Sequence, residues 1–226
     1  MTKTLGLLAL VAAATQLAGC GSVNSALADR RETIEMYHIW DVKTSAQPDV
    51  LIRAAADGLA SNTNSVTQNR PLIMGGLVPA TPGRFQIVDM QDALKGTGMG
   101  AMLAMANGGA GNATLRSAKC DGAVWTSKAV RTVTGSDNLN LYTCLYRYST
   151  GYQIDMYAVF TKESGGLTQL ARSAAQAMVG TPEEWTNKTI MDTVRAVQVA
   201  AGQPVTHVEG QPEIDKLPKL DQITRR

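Results

Sequence analysis

Alternating apolar and polar residues predict that strands dominate the middle of this chain. Residues 34–43 are rich in aromatic and β-branched side chains, which predicts a strand with one face formed by Met36, His38, Trp40 and Val42. Residues 139–148 and 152–160 alternate in the same way, and one or two further strands are expected over 123–134. These segments predict an antiparallel meander with one buried face.

Three stretches carry apolar residues at helical spacing. The first begins at Pro48, and the second runs over 167–178. The third begins at Thr181-Pro182-Glu183-Glu184, which combines an N-cap threonine, a proline at N1 and a glutamate at N3, and it ends at Gly202. The predicted fold class is therefore α+β: a two-layer sandwich of a mostly antiparallel sheet, with a C-terminal β-meander followed by two helices.

The first twenty residues have the pattern of an export signal. Lys3 precedes an apolar run over residues 5–14, which is shorter than the roughly 20 residues that span a bilayer. The run ends in Leu17-Ala18-Gly19-Cys20, and this tetrapeptide resembles the lipobox of bacterial lipoproteins. The resemblance implies cleavage before Cys20, a diacylglycerol on its sulfur and an acyl chain, such as palmitate, on its new amino group. The other interpretation is a cleaved secretory signal followed by a chance cysteine.

The same resemblance implies a cellular location for the protein and a division of the chain into segments. Because Gly21 rather than an aspartate follows Cys20, we expect the outer membrane, with the protein facing the periplasm and held through its lipid. Each buried CH₂ contributes about 0.8 kcal/mol to such an anchor. The expected segments are a signal peptide (1–19), a lipidated tether (20–33), a single α+β domain (34–201) and an extended or disordered tail (202–226).

Composition narrows the classes of partner. The chain has 226 residues, of which 44% are hydrophobic, and its net charge is +2. Removal of residues 1–19 takes away Lys3 alone among the charged residues, which leaves 20 basic and 19 acidic side chains. A nucleic-acid partner is not expected, because such proteins carry a basic stripe. No cofactor is predicted.

The cysteines divide into one lipid attachment and one pair. With Cys20 lipidated, Cys120 and Cys144 remain, and an oxidising periplasm makes a disulfide between them the expected state. A simple hairpin around residues 135–138 would place Cys144 opposite Ala129, so the bond should join the segment before the meander to a neighbouring strand. A redox-active or metal-binding pair is the alternative, although the spacing is not C-x-x-C.

Residues 95–113 combine six glycines with methionines at every third position, namely Met99, Met102 and Met105. A short apolar helix is expected over 99–106. It is interpreted as a packing element, as a thioether site for Cu(I), or as a segment that contacts a membrane, ligand or partner. Packing is the favoured interpretation, and no metal site is predicted.

Catalytic motifs are absent from the sequence. Neither a G-x-S-x-G elbow nor an H-E-x-x-H helix occurs, and the G-x-G-x-x-A match at residues 96–101 does not follow a predicted strand. Asp41, Asp89 and Asp155 are candidates, since two of them could meet as an acid–base pair, against the commoner interpretation that they are solvated carboxylates on strand faces. Tyr142 and Tyr146 are candidates for ligand or partner contact, against the commoner interpretation that they pack within the sheet.

The sequence favours a non-catalytic role. We expect an outer-membrane lipoprotein whose periplasmic domain is a binding or accessory subunit of a cell-envelope assembly, with a protein partner. One alternative is a carrier of a small apolar or lipidic ligand, with the Gly/Met segment over a pocket. A hydrolase using Asp41 or Asp155 is the less favoured alternative, and it requires both carboxylates in one cleft.

Overall fold

A computed structural model describes residues 30–71, 77–89, 97, 116–132, 139–164 and 180–213. The chain divides into two compact units. One unit, Met1–Arg31 with Glu163–Val179, lies almost entirely outside the described residues. The other, Glu32–Lys162 with Gly180–Arg226, carries the features that follow. The signal peptide, Cys20, the three methionines of the Gly/Met segment and the helices predicted over 99–106 and 167–178 fall outside the described residues.

Within the described residues, eight strands and two helices form an α+β fold, as predicted. The strands are β1 (Arg30–Val42), β2 (Ser65–Asn69), β3 (Gln86–Asp89), β4 (Arg116–Lys119), β5 (Trp125–Arg131), β6 (Leu139–Tyr148), β7 (Gly151–Ser164) and β8 (Val205–Gln211). The helices are α1 (Pro48–Ala60) and α2 (Pro182–Ala201). Six strands form one sheet in the order β2–β5–β6–β7–β1–β8, and β3 pairs with β4 in a separate two-stranded ribbon. Each pair with an assigned register is antiparallel.

Helix α2 begins and ends where its sequence predicts. The Thr181 side chain accepts a hydrogen bond from the Glu184 backbone N–H at 3.2 Å, and the Glu184 carboxylate accepts one from the Thr181 backbone N–H at 2.8 Å. This reciprocal capping box satisfies two backbone donors that the helix leaves unpaired. Gly202 ends the helix in the left-handed region with φ 62°, which glycine adopts without steric cost.

Both helices contribute to a main core on one face of the sheet. The strands supply large buried side chains, and the predicted common face of β1 is confirmed for Met36, Trp40 and Val42, which all belong to this core. The helices add the apolar residues Leu51, Ile52, Ala55, Leu59, Ile190, Val194 and Val197. The helices therefore cover this face, as expected for an α+β sandwich.

The opposite face of the sheet also carries a buried cluster, so the prediction of one buried face is wrong. Its members include Ile39, Tyr146 and Tyr157, together with Phe85 from outside the sheet. Residues 79–85, here called the strap, lie over this cluster. They are held by the Ser149 N–H, which donates to the Pro79 carbonyl at 2.9 Å, and by further bonds to β7. Prolines and glycines in the strap gave no hydrophobic period from which a covering layer could be predicted.

Three boundaries differ from the sequence prediction. Strand β1 begins at Arg30, within the segment predicted as a tether. Strand β2 (Ser65–Asn69) lies in a region where the sequence predicts no strand. Strand β8 (Val205–Gln211) lies in the predicted extended or disordered tail and pairs with β1 at the sheet edge. Both β2 and β8 are polar edge strands without a fully buried residue, and neither shows a strong apolar alternation.

Candidate functional site

An open concave surface lies where the β3–β4 ribbon leaves part of the second sheet face uncovered. Its cavity has a volume of about 350 Å³. Cross-strand neighbours form the floor, because Thr67 lies opposite Lys128, Asn69 lies opposite Thr126, and Lys128 in turn lies opposite Tyr142. We call these five residues the shelf. Residues 118–120, at the end of β4, form a wall beside it.

Tyr142 is the aromatic centre of the shelf. Its ring stacks near that of Tyr157, with centroids 6.2 Å apart and an interplanar angle of 25°. The Lys128 ammonium lies 5.6 Å from the Tyr142 ring centroid, within the range of a cation–π contact. Burial raises the pKa of the Tyr142 phenol, so the phenol is neutral at ordinary pH.

The shelf carries hydrogen-bonding side chains and a cation. Thr67 and Thr126 offer hydroxyls, Asn69 offers an amide, and Lys128 offers a cation. The neighbouring Lys119 forms an ion pair with Asp121 at 2.6 Å. Among the described residues, the lining contains no carboxylate, histidine or thiol side chain. Tyr142 was singled out from the sequence, whereas its polar neighbours emerged only once the register of β2 against β5 was known.

A disulfide joins the wall of this surface to the sheet. Cys120 and Cys144 have sulfurs 2.01 Å apart and Cα atoms 5.6 Å apart, which agrees with the predicted pair. The expected hairpin register is wrong, because Cys144 lies opposite Thr126, and Ala129 lies opposite Leu141. Pairing between β5 and β6 begins at Arg131 and Leu139, so the connection is longer than a simple turn over 135–138.

Tyr146, the other predicted contact residue, is buried. Tyr146 lies beneath the strap and is 1% exposed. A Cβ at Gly83 would lie 2.7 Å from the Tyr146 ring. Its hydroxyl has no hydrogen-bond partner among the described residues. Burial, with smaller effects of Asp155 and Asp121, raises the pKa of this phenol. Of the two tyrosines, Tyr142 is the one that lines the open surface.

Asp155 fastens the strap to β7. Its carboxylate accepts hydrogen bonds from the Phe85 backbone N–H at 3.0 Å and from the Gln153 side chain at 2.8 Å. The residue is 1% exposed, and burial raises the pKa of its carboxyl to about 6 against the lowering effect of these hydrogen bonds. The Gln153 amide also donates to the Gly83 carbonyl at 2.9 Å. These contacts assign Asp155 a role in holding the strap.

Asp41 lies in a different set of contacts. The Tyr148 hydroxyl donates to Asp41, and the Lys43 ammonium lies 3.3 Å from the second carboxylate oxygen. Lys43 also donates to the Tyr148 hydroxyl and lies 4.6 Å from the centroid of that ring. Asp41 and Asp155 share no partner among the described residues, so the described contacts do not join them into an acid–base pair.

The two histidines of the chain meet between β1 and β8. His38 Nδ1 lies 3.1 Å from His207 Nε2, and His38 is completely buried. The sequence did not predict this contact, because 169 residues separate the two and His207 was placed in the tail. No signal in the local sequence marks the pair, apart from the position of His38 on the buried face of its strand.

Within the described part of the chain, no group of three or more His, Cys, Asp or Glu side chains is arranged to hold a metal ion. No helix there has both the length and the apolar character needed to cross a membrane. The chain matches no protein-family model, no curated protein and no solved structure.

Proposed function

We propose that this chain is a lipoprotein of the bacterial outer membrane whose periplasmic domain binds a protein partner of a cell-envelope assembly without catalysing a reaction. The observation that carries the binding role is the shelf, a concave surface with an aromatic ring at its centre and with hydrogen-bonding groups and the Lys128 cation around it. Aromatic residues are enriched at the energetic centres of protein interfaces. The lipobox-like Leu17-Ala18-Gly19-Cys20 supports the anchor.

The covalent framework suits a binding surface. The disulfide ties Cys120, in the wall, to Cys144, on the same sheet face as Tyr142. The main core holds the other face of the same strands. A surface fixed from both sides loses little conformational freedom when a partner binds, and this preserves affinity.

A carrier of a small apolar or lipidic ligand is the second candidate. The cavity volume of about 350 Å³ favours it, because small-molecule sites commonly occupy roughly 300–1,000 Å³. Thr67, Asn69 and Lys128 on the floor favour a partner with polar groups instead. Extraction of the purified protein with organic solvent, followed by mass spectrometry, distinguishes the two, since a carrier retains a stoichiometric ligand.

Replacing Cys20 by serine should release the protein from the membrane, because a hydroxyl does not receive the thioether-linked diacylglycerol. We expect the wild type in the outer-membrane fraction and the detergent phase, and C20S in the aqueous phase or as uncleaved precursor. Intact mass of the mature wild type should show acyl chains on a chain that begins at Cys20. A wild-type protein of unmodified mass, or C20S that fractionates as the wild type does, contradicts the anchor.

Replacing Tyr142 by alanine should weaken capture of the partner from detergent-solubilised membranes by about tenfold or more, as expected for loss of a central aromatic contact. Y142F keeps the ring and should retain capture. Arg53→Ala, on the exposed surface of α1, is the control variant. Equal recovery of partner by Y142A and wild type, with the fold intact by circular dichroism, places binding elsewhere.

A further inference from the structure

Two titratable rings are in contact where strand β8 pairs with β1 at the edge of the sheet. His38 of β1 and His207 of β8 face each other with ring nitrogens 3.1 Å apart. The ring of Trp40 packs against His207 with centroids 4.7 Å apart. His38 is fully buried, whereas His207 is partly exposed.

The hydrogen bonds around the pair are satisfied with both rings neutral. A ring nitrogen of His207 donates to the backbone carbonyl of Glu209, and the other nitrogen faces His38. His207 Nε2 is then the acceptor, and His38 Nδ1–H is the donor. This leaves a lone pair on His38 Nε2, which is buried and has no partner among the described residues. A proton added there would be a buried charge without compensation.

Gly210 shows how closely β8 fits this ring. A Cβ on Gly210 would lie 2.1 Å from His38 Nδ1 and 2.7 Å from the Tyr37 carbonyl. His38 and Gly210 are direct cross-strand partners, and the register shifts between Ile39 and Trp40 so that His207 lies opposite Trp40. Strand β8 therefore forms part of the packing around the His38 ring, and this packing is lost when β8 separates from β1.

A fall in pH destabilises the contact between the two rings. Burial, and then the charge of His207, lowers the pKa of His38 to about 4, and burial also lowers the pKa of His207. A group whose pKa is lowered in the closed state stabilises that state at neutral pH, and the stabilisation is lost as the pH falls below about 6.5.

Few other charges act on the two rings. On β8, the charge that acts on His207 is Glu209, which is paired with Arg84 of the strap. That pairing keeps the Glu209 pKa below its usual range, so Glu209 stays ionised at pH 5. The core-facing neighbours on β1 and β7 are uncharged, namely Met36, Trp40, Ile154 and Met156. The Glu209 charge favours a positive charge on His207, but burial outweighs this effect and keeps the pKa of His207 lowered.

We propose that β8 is an acid-released strand: protonation of His38 and His207 separates β8 from β1 and uncovers the β1 edge of the sheet. The uncovered edge presents the backbone donors and acceptors of residues 37–42, which now pair with β8. Such an edge is a template for pairing with another strand. The release is independent of whether the shelf binds a partner.

Hydrogen exchange followed by NMR tests the release on the full mature protein. After correction for intrinsic exchange rates, protection of the β8 amides should fall by about 20-fold from pH 7 to pH 5 from His38 alone, given its lowered pKa. Amides of β5 and β6 should stay protected. Because the chain has two histidines, the ring signals give one titration each.

Two variants complete the test. His38→Gln/His207→Gln keeps an amide contact but removes both titrating rings, so its β8 protection should not change with pH. Asp155→Asn removes a different buried group and should keep the wild-type fall. The proposal is overturned if wild-type β8 stays equally protected at pH 5, if His38 titrates near 6.5 in the folded protein, or if the double variant opens with acid as the wild type does. The wild-type titration decides the question even where the double variant does not fold.

Discussion

Replacing Cys120 and Cys144 together by alanine is expected to lower the free energy of unfolding by about 3 kcal/mol. The bond closes a loop with a sequence separation of 24 residues, and the chain-entropy estimate for such a loop is about that size. Cys144 is also buried in the second cluster, so truncation adds a packing loss. Urea unfolding of wild type and double variant measures the difference.

Reduction of the wild type is the matched control for the packing loss, because it opens the bond and keeps both side chains. We expect reduced wild type and double variant to shift in the same direction, with the variant the less stable of the two. A double variant within about 1 kcal/mol of the oxidised wild type would show that the bond does not constrain the unfolded chain as the entropy model requires.

Asp155 is expected to make stability fall as the pH rises from 4 to 7. Its carboxyl has a pKa of about 6 in the folded protein against 3.8 as the ordinary value, because burial disfavours the ionised form. Its contribution is therefore fully present below pH 4 and is lost as the pH rises through 6. The difference corresponds to about 3 kcal/mol. The measurement is the free energy of unfolding of wild type relative to D155N at each pH.

The relative measurement is needed because other groups act in the opposite sense. Ion pairs and hydrogen bonds lower the pKa of Glu209 and of Asp192. The stabilisation that these carboxylates give to the folded protein is therefore lost as the pH falls. The contribution of Asp192 is common to wild type and D155N and cancels in the difference, whereas the smaller charge interaction between Glu209 and Asp155 remains in it. Asp121→Asn, at an exposed ion pair, should change stability by less than about 1 kcal/mol. A wild-type-to-D155N difference that stays constant from pH 4 to 7 would rule out the raised pKa.

Local signals in the sequence predicted the elements whose causes are local. Thr181 and Gly202 mark the ends of α2 because capping depends on residues within one helical turn. The strand over 139–148 is confirmed at both ends, since its alternation is regular. The disulfide partners followed from a count of cysteines and an oxidising address rather than from geometry.

The sequence did not predict the contacts between segments that are far apart along the chain. Strand β8 is polar and follows two apparent breaks at Gly202 and Pro204, and its place is decided by His38 and Gly210 meeting across the sheet. Tyr142 and Tyr146 lie on one face of β6, and alternation alone gave no means of telling them apart. The strap covers Tyr146 and leaves Tyr142 beside the cavity, and the strap has no periodic pattern from which its position could be read.

Site-specific photo-crosslinking in living cells tests most directly the proposal that an anchored, non-catalytic domain binds its partner through the shelf. A photoreactive residue is placed at Thr126 on the shelf or, as control, at exposed Arg53 on α1. We predict a discrete adduct with one envelope protein at Thr126, lost when Y142A is added, and none at Arg53. Absence of an adduct at Thr126, or the same adduct from both positions, would contradict partner binding through the shelf.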